Sequence, residues 1–365
     1  MIKTELCDML GIKYPIIQAG MGPWKTEKLS IAAANAGILG IISTSGILAE
    51  SFGMPGAEGS SDKVNEEIDN PRKMIKKLIH NVEEQTRDSK GVFGINCMVS
   101  MEMFEGSKEV LEGTIESINE NPSLKERLKV VITSAGDPIP CADIIKPSGL
   151  KWFHVVPSVR HAKRCQKAGV DAVIASGHEA GGHTAWQPVH SMVLLPAIVR
   201  AVDIPVIGAG GFCDGTTLVA ALVLGACGVQ MGTRFIATEE SDFVQIWKDR
   251  VLKSSEMDTI ASRGFVGPLR YLKNNASVEL TELTIKNTPQ LFIGEPDDTL
   301  DPEIFEFESK GMSALLGDDD EKALFFGGEA AGRVDDIPPI KELLDRIERE
   351  AEELISSIPR FVQTN

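Results

Sequence analysis

Short, almost purely apolar runs alternate along this chain with longer segments in which apolar residues return every three or four positions, up to about Ile236. Continuous apolar runs of four to seven residues predict strands buried on both faces, and the periodic segments between them predict helices that cover those faces. The first run, Tyr14–Ala19, opens into Gly20-Met21-Gly22-Pro23, and a helix from Leu29 to Ala36 is stopped by Gly37. Further runs are Leu39–Thr44, Val92–Met98, Val130–Ser134 and Lys151–Val156. A charged helix is predicted over about 71–86, and another over Val159–Ala168 with Gly169 as its cap. The last three runs open into glycine-rich loops: Ala172-Val173-Ile174-Ala175-Ser176-Gly177, Pro205-Val206-Ile207-Gly208-Ala209-Gly210-Gly211 and Gly228-Val229-Gln230-Met231-Gly232-Thr233.

Eight strands, each followed by a helical segment, predict an α/β fold in the form of a closed (β/α)8 TIM barrel, with an open doubly wound sheet as the rival. After Ile236 the rhythm breaks. Helices are expected over about 242–253 and 340–358, separated by Gly267-Pro268, Asp318-Asp319-Asp320 and Gly327-Gly328. The expected organisation is a barrel over 1–240 and a smaller helical C-terminal capping subdomain over 241–365, with the final helices able to pack back on the barrel. The polar, glycine-containing stretch 49–70 is read as a long excursion over the barrel mouth or a disordered loop.

Composition narrows the partners. A formal net charge of −16 disfavours nucleic acid and anionic membrane surfaces. No apolar stretch is long enough to span a bilayer, and the first residues lack the pattern of a secretion signal. The six cysteines form no Cys-x-x-Cys pair and no metal-type Cys/His spacing, so free thiols in a cytoplasmic protein and no metal site are expected.

Active sites of such barrels lie at the carboxyl ends of the strands, and this is where Gln18, Met21, Asn96, Ser134, Ser158, His183, Gly210 and Gln230 fall. Barrels commonly hold phosphate between the loops after the seventh and eighth strands, and glycines there let backbone amides approach an anion. The Gly208–Gly211 loop, followed by a helix from about Asp214, and the Gln230–Thr233 loop suit that task. His183 lies after the sixth strand between Gly181-Gly182 and Thr184, where an imidazole can give or take a proton. His178 and Glu179 could orient that loop. A phosphorylated cofactor would then supply the chemistry that one histidine cannot.

These segments, together with Asn35-Ala36-Gly37-Ile38-Leu39-Gly40, Val156-Pro157-Ser158, Ala168-Gly169-Val170-Asp171-Ala172 and Gly328-Glu329-Ala330-Ala331-Gly332, resemble the nitronate monooxygenase (2-nitropropane dioxygenase) family over most of the chain. The resemblance implies FMN in a TIM barrel beneath a helical substrate domain. It implies that Gly210, Gly211, Gln230, Gly232 and Thr233 hold the phosphate and that Ala19, Gly20, Met21, Gly22 and Asn96 border the flavin ring. Gly181 would pack beside the ring, with Ser134, Gly182, Gly208 and Met231 completing the cofactor lining. His183 would be the catalytic acid–base residue, with Trp186 and Glu179 in the substrate pocket. After His183 the chain reads Thr184-Ala185-Trp186, where many members carry a small residue or arginine followed by glycine, and Glu329 stands where many carry Gln.

Three activities compete at this stage. The leading one is oxidation of alkyl nitronates with oxygen. The second is NAD(P)H-dependent flavin reduction of enoyl thioesters or quinones, which would use the same histidine beside the same flavin. The third is a flavin-binding protein without turnover. The substrate is a small molecule in the first two, and apolar residues on the last helices raise the expectation of a homodimer.

Overall fold

The computed structural model describes residues 2–51, 70–297, 299–317 and 319–361. Most of the excursion read over 49–70 lies outside the described residues. Among the described residues there are eleven strands: β1 Ile16–Gln18, β2 Gly40–Ser43, β3 Phe93–Met98, β4 Leu128–Ser134, β5 Lys151–Val156, β6 Ala172–Ser176, β7 Gly182–His183, β8 Val206–Ala209, β9 Gly228–Met231, β10 Thr259–Gly264 and β11 Gly267–Leu272. Eight of them form one parallel sheet in the order β1-β9-β8-β6-β5-β4-β3-β2. A parallel bridge between Ile17 and Leu39 joins its two edges and closes the barrel. The fully buried Gln18 staples that seam, because its side-chain oxygen accepts from the Ile41 amide at 2.7 Å.

Alternation along the strands sorts their side chains. Ile17, Ile41, Val130, Ile132, Phe153, Ile174 and Ile207 fill the barrel interior. Ile16, Ile42, Ile95, Val131, Trp152, Val173, Val206 and Val229 face the surrounding helices. The same alternation puts Ala19, Asn96, Ser134, Ala209 and Gln230 on the inward side at the carboxyl ends. The interior thus changes from branched apolar residues below to small and polar ones at the mouth, and this upper layer is the floor of a site.

The final helix, Ile340–Phe361, returns to the barrel. Its Ile340, Leu343, Leu344, Ile347 and Ala351 join the outer core, and it lies so close to Gly215 that an added Cβ there would stand 2.6 Å from the Ile347 carbonyl oxygen.

The segment after Ile236 carries the expected helices and, in addition, strands that the sequence did not mark. It has helices Gln245–Lys253, Asn275–Asn287 and Pro302–Ser313, but also an antiparallel sheet in the order β10-β11-β7. Gly267-Pro268, read as a break, begins β11 after the two-residue turn Phe265-Val266. Pro268 is tolerated because it pairs with Arg263 next to the hairpin-closing pair, where its missing N–H removes no bond to β10. Trp24, Phe243, Trp247 and Phe325 form one apolar cluster of this region, and Leu269, Tyr271, Leu280, Ile304 and Leu324 another.

One stability prediction arises from the outer face of β5. His154 is buried there, its Nδ1 2.7 Å from the Thr133 hydroxyl, and burial pushes its pKa down to about 4. Below the ordinary value of about 6.5 the unfolded chain takes up a proton that the folded chain refuses, so stability is full above that pH and falls toward pH 4. His154→Asn is expected to flatten the fall by up to about 2–3 kcal/mol at pH 4. Denaturant unfolding at pH 7.5, 6 and 4.5 checks this, and parallel slopes in the two proteins would refute it.

Candidate active site

At the barrel mouth the loops after β1, β6, β8 and β9 converge. Gly20 presses on Asn96, since an added Cβ would lie 2.5 Å from the Asn96 Cβ. Asn96 donates from its amide to the Ser134 hydroxyl at 3.2 Å and to the Ile132 carbonyl at 3.4 Å. The inward residues of β3 and β4 and the loop after β1 are therefore one polar shelf. Met21 reaches across to the loop after β9, where its Sδ would stand 3.3 Å from a Cβ on Gly232.

Gly210 and Gly211 both take left-handed backbone conformations, with φ of +84° and +80°. Only glycine adopts two such turns in succession without strain, and a turn of this kind leaves backbone N–H groups available to an anion. A Cβ on Gly210 would also stand 2.9 Å from the Gly177 carbonyl oxygen, so the loops after β6 and β8 touch through main chain.

The helix after Gly211, Gly215–Val223, does not offer its N-terminus to a phosphate as expected. Asp214 caps it by accepting from the Thr217 amide at 2.8 Å, and Glu350 of the final helix accepts from the Gly215 amide at 3.1 Å. Two carboxylates already occupy the positive end of that helix. The anion-holding capacity is left to the glycine loop itself and to Gly232-Thr233.

His183 sits on β7, which pairs with β11 of the cap sheet through Leu269. The Thr184 amide continues the pairing by donating to the Pro268 carbonyl at 2.9 Å. Desolvation by the surrounding protein pushes the pKa of His183 down to about 4. A hydrogen bond with the Val266 backbone pulls the pKa up, and the positive charge of Arg263 pushes it down. At neutral pH the imidazole is therefore uncharged and able to accept a proton.

Arg263 is 3% exposed and donates to the carbonyls of Gly264 at 2.6 Å, Phe265 at 3.4 Å, Asp297 at 3.3 Å and Thr299 at 3.2 Å. Its guanidinium lies 5.3 Å from the centre of the Trp186 ring. The departure at Trp186 is thus matched by a cation that holds the indole in place.

A family model described as nitronate monooxygenase matches residues 3–350. The chain belongs to the nitronate monooxygenase family. Among similar proteins, one from Staphylococcus aureus described as a probable nitronate monooxygenase is 32% identical over 309 residues, covering 76% of this chain and 80% of its own. Among solved structures, FabK from Thermotoga maritima is 30% identical, with a TM-score of 0.78 over 99% of this chain and 100% of its own. Nitroalkane oxidase from Streptomyces ansochromogenes shares the fold, with a TM-score of 0.74 at 21% identity over 97% of this chain and 99% of its own. The chain is a flavin-dependent oxidoreductase that acts on a small molecule.

Membership of the nitronate monooxygenase family gives the mouth a cofactor to fit, and several residues named from sequence take unexpected places. Met231 is fully buried in the outer core, and its carbonyl accepts from the Ala19 amide at 2.9 Å, so its side chain does not reach the mouth. Gly208 faces outward, where a Cβ would stand 2.9 Å from the Phe212 ring. Glu179, expected in the substrate pocket, instead caps the helix Ser191–Val199. Its two carboxylate oxygens accept from the Ser191 amide at 3.0 and 3.1 Å and from the Ser191 hydroxyl.

Gly181 meets the Gly327-Gly328 backbone, and the Gly328 amide donates to the Thr233 hydroxyl at 3.0 Å. The Gly-Glu-Ala-Ala-Gly segment therefore locks the loops after β6 and β9 together. Arg270 of β11 tightens this lock by donating to the His178 carbonyl at 3.0 Å and lying 3.5 Å from Glu329. Gly182, by contrast, opens onto space.

Arg263, Arg270 and Val266 were not singled out from sequence. They lie in the irregular C-terminal third, with no glycine loop or local motif to mark them. Among the described residues, no group of three or more His, Cys, Asp or Glu could hold a metal, and no helix is long and apolar enough to cross a membrane.

Proposed function

We propose that the chain oxidises alkyl nitronates with oxygen, using FMN, and that His183 is its acid–base residue. The observation that carries this reading is an uncharged imidazole at the barrel mouth within the field of the buried Arg263 cation. Such a place favours an anion and can take a proton from its neutral parent, the nitroalkane. The description of the curated relatives supports the same substrate class.

The residues present fit FMN. A Cβ would fill the close approaches at Gly20, Gly210 and Gly232. Backbone amides and the Thr233 hydroxyl suit a phosphate, with Gln230 inward beside them, and the Ala19–Gly22 and Asn96 shelf suits the edge of a flat ring. FMN, when bound, supplies electron acceptance and the reaction with oxygen. The protein's share would be to anchor the phosphate, to line the substrate's side with Trp186, and to hold the proton on His183.

Anaerobic mixing of the yellow protein with propionate 3-nitronate and, separately, with NADH or NADPH tests the reading. The nitronate is expected to change the flavin band and the nicotinamides to leave it unchanged. Rapid bleaching by a nicotinamide, with no response to the nitronate, would replace it with a reductase of enoyl thioesters or quinones. A colourless protein that takes up no FMN would overturn both.

A further inference from the structure

Two neighbouring helices of the barrel's outer layer, Ser191–Val199 and Gly215–Val223, contain no charged residue, in a chain that is 25% charged. A helix that covers a barrel buries one stripe and turns polar residues to water. Here the outward positions are apolar instead. Met192 is 72% exposed, Val193 65% and Val223 74%, and Ala220 is exposed three residues before Val223. Charge returns only past the helix ends, at Arg200 and Asp214. The two helices touch, because a Cβ on Gly225 would stand 2.8 Å from the Val199 side chain. Their outward residues therefore form one uncharged strip, and its two flanks differ in sign. On one side lies the helix Val159–Ala168, with Arg160, Lys163 and Lys167 exposed and no acidic residue. Its Gln166 accepts from the Asp203 amide at 2.6 Å, just beyond the first uncharged helix. On the other side lies the final helix. The groove between it and Gly215–Val223 is lined by Thr216, Glu350, Glu352, Glu353 and Leu354, and among the described residues by no basic one.

We propose that this strip is the contact between two copies of the chain. Each copy carries a net charge of −16, so a second copy is repelled except where charge is absent or paired. The strip meets both conditions, because it is uncharged along its length and is bordered by opposite signs. A two-fold axis running along it sets each copy's basic flank against the partner's acidic flank, and each Ser191–Val199 helix against the partner's Gly215–Val223. An axis across the strip would set like charges face to face. The apolar residues of the final helix, which raised the expectation of a homodimer, do not make this contact. Ile340, Leu343, Leu344, Ile347 and Ala351 are buried against their own barrel.

Sedimentation equilibrium of the full chain, at micromolar concentration and moderate salt, tests the proposal. Wild type is expected at twice the 39.5 kDa of one chain. Val193→Glu places a charge against an uncharged helix of the partner and is expected to weaken association at least a hundredfold, giving a monomer of unchanged helix content. Met192→Lys does the same from a neighbouring position and decides the matter if Val193→Glu does not fold. The flanks are tested by reversing them. Lys163→Glu and Glu353→Lys each set like charges together across the contact and are expected to raise the dissociation constant about tenfold. The doubly reversed variant restores opposite signs and is expected to return close to the wild-type value. A monomeric wild type would overturn the proposal, as would a dimer that Val193→Glu and Met192→Lys leave intact. Single reversals that weaken the dimer without rescue in the double variant would overturn the two-fold arrangement.

Discussion

His183→Asn is expected to lower kcat for a neutral nitroalkane by about 10²–10⁴-fold, the usual worth of a positioned acid–base group. The loss should be much smaller, roughly tenfold, when the same substrate is supplied as its preformed nitronate, because no carbon acid then remains to be deprotonated. The contrast follows from the state of the ring. With a pKa near 4, His183 is neutral through the working range and has a lone pair to offer. Asparagine keeps a polar side chain of moderate size and leaves untouched the main-chain pairing of β7 with β11, so flavin content should match wild type. Steady-state rates with both substrate forms, normalised to flavin absorbance, give the answer. Equal losses for both forms would move the histidine's role from proton transfer to binding the anion, and undiminished rates with both would place the chemistry elsewhere.

Gly181→Ala is expected to damage stability and flavin retention together. An added Cβ would stand 2.5 Å from the Gly327 carbonyl carbon and 2.6 Å from the Gly328 nitrogen. Both are main-chain atoms, so no side chain can swing aside. The Gly328 amide that must move is the one bonded to the Thr233 hydroxyl, and the neighbouring Glu329 amide donates to the Glu179 carbonyl at 3.0 Å. Overpacking of this kind costs about 1–3 kcal/mol, which lowers Tm by roughly 1–4 °C in a protein of this size. Displacing Thr233 should also weaken FMN binding at least tenfold. Gly182→Ala is the control: a Cβ there meets nothing within 4 Å, and the only cost is its left-handed φ of +71°, about 1 kcal/mol. Thermal melts and FMN titration of the apoproteins compare the two. Wild-type values in Gly181→Ala would mean that the 327–332 segment does not lock the mouth.

The barrel strands and their loops were legible from the sequence for a physical reason. A strand buried on both faces must be apolar throughout, and a loop that approaches an anion or another backbone must be glycine. Ile16–Gln18, Val206–Ala209 and Gly228–Met231 were found at their observed places within a residue or two, and the Gly210-Gly211 turn was recognised by composition alone. Sequence was also sufficient to place His183 in the loop after β6.

What the chain order could not disclose is who faces whom. Met231 and Gly208 lie in marked segments but point into the outer core, because pleat and register decide the face and a one-residue difference reverses it. Glu179 lies in the histidine loop, yet a helix N-terminus closer to hand takes its carboxylate. Asp214 and Glu350, 136 residues apart along the chain, fill the helix end that sequence offered to a phosphate. The cap sheet was hidden because β7 is two residues long and gains its strand character only by pairing with β11, far along the chain. Local pattern determined the barrel, its mouth and the candidate base, since each depends on neighbouring residues. The tertiary structure alone decided the protonation of that base. Its pKa is lowered by burial under the folded cap, pulled up by the Val266 backbone and pushed down by Arg263, all of which reach it only through the folded chain.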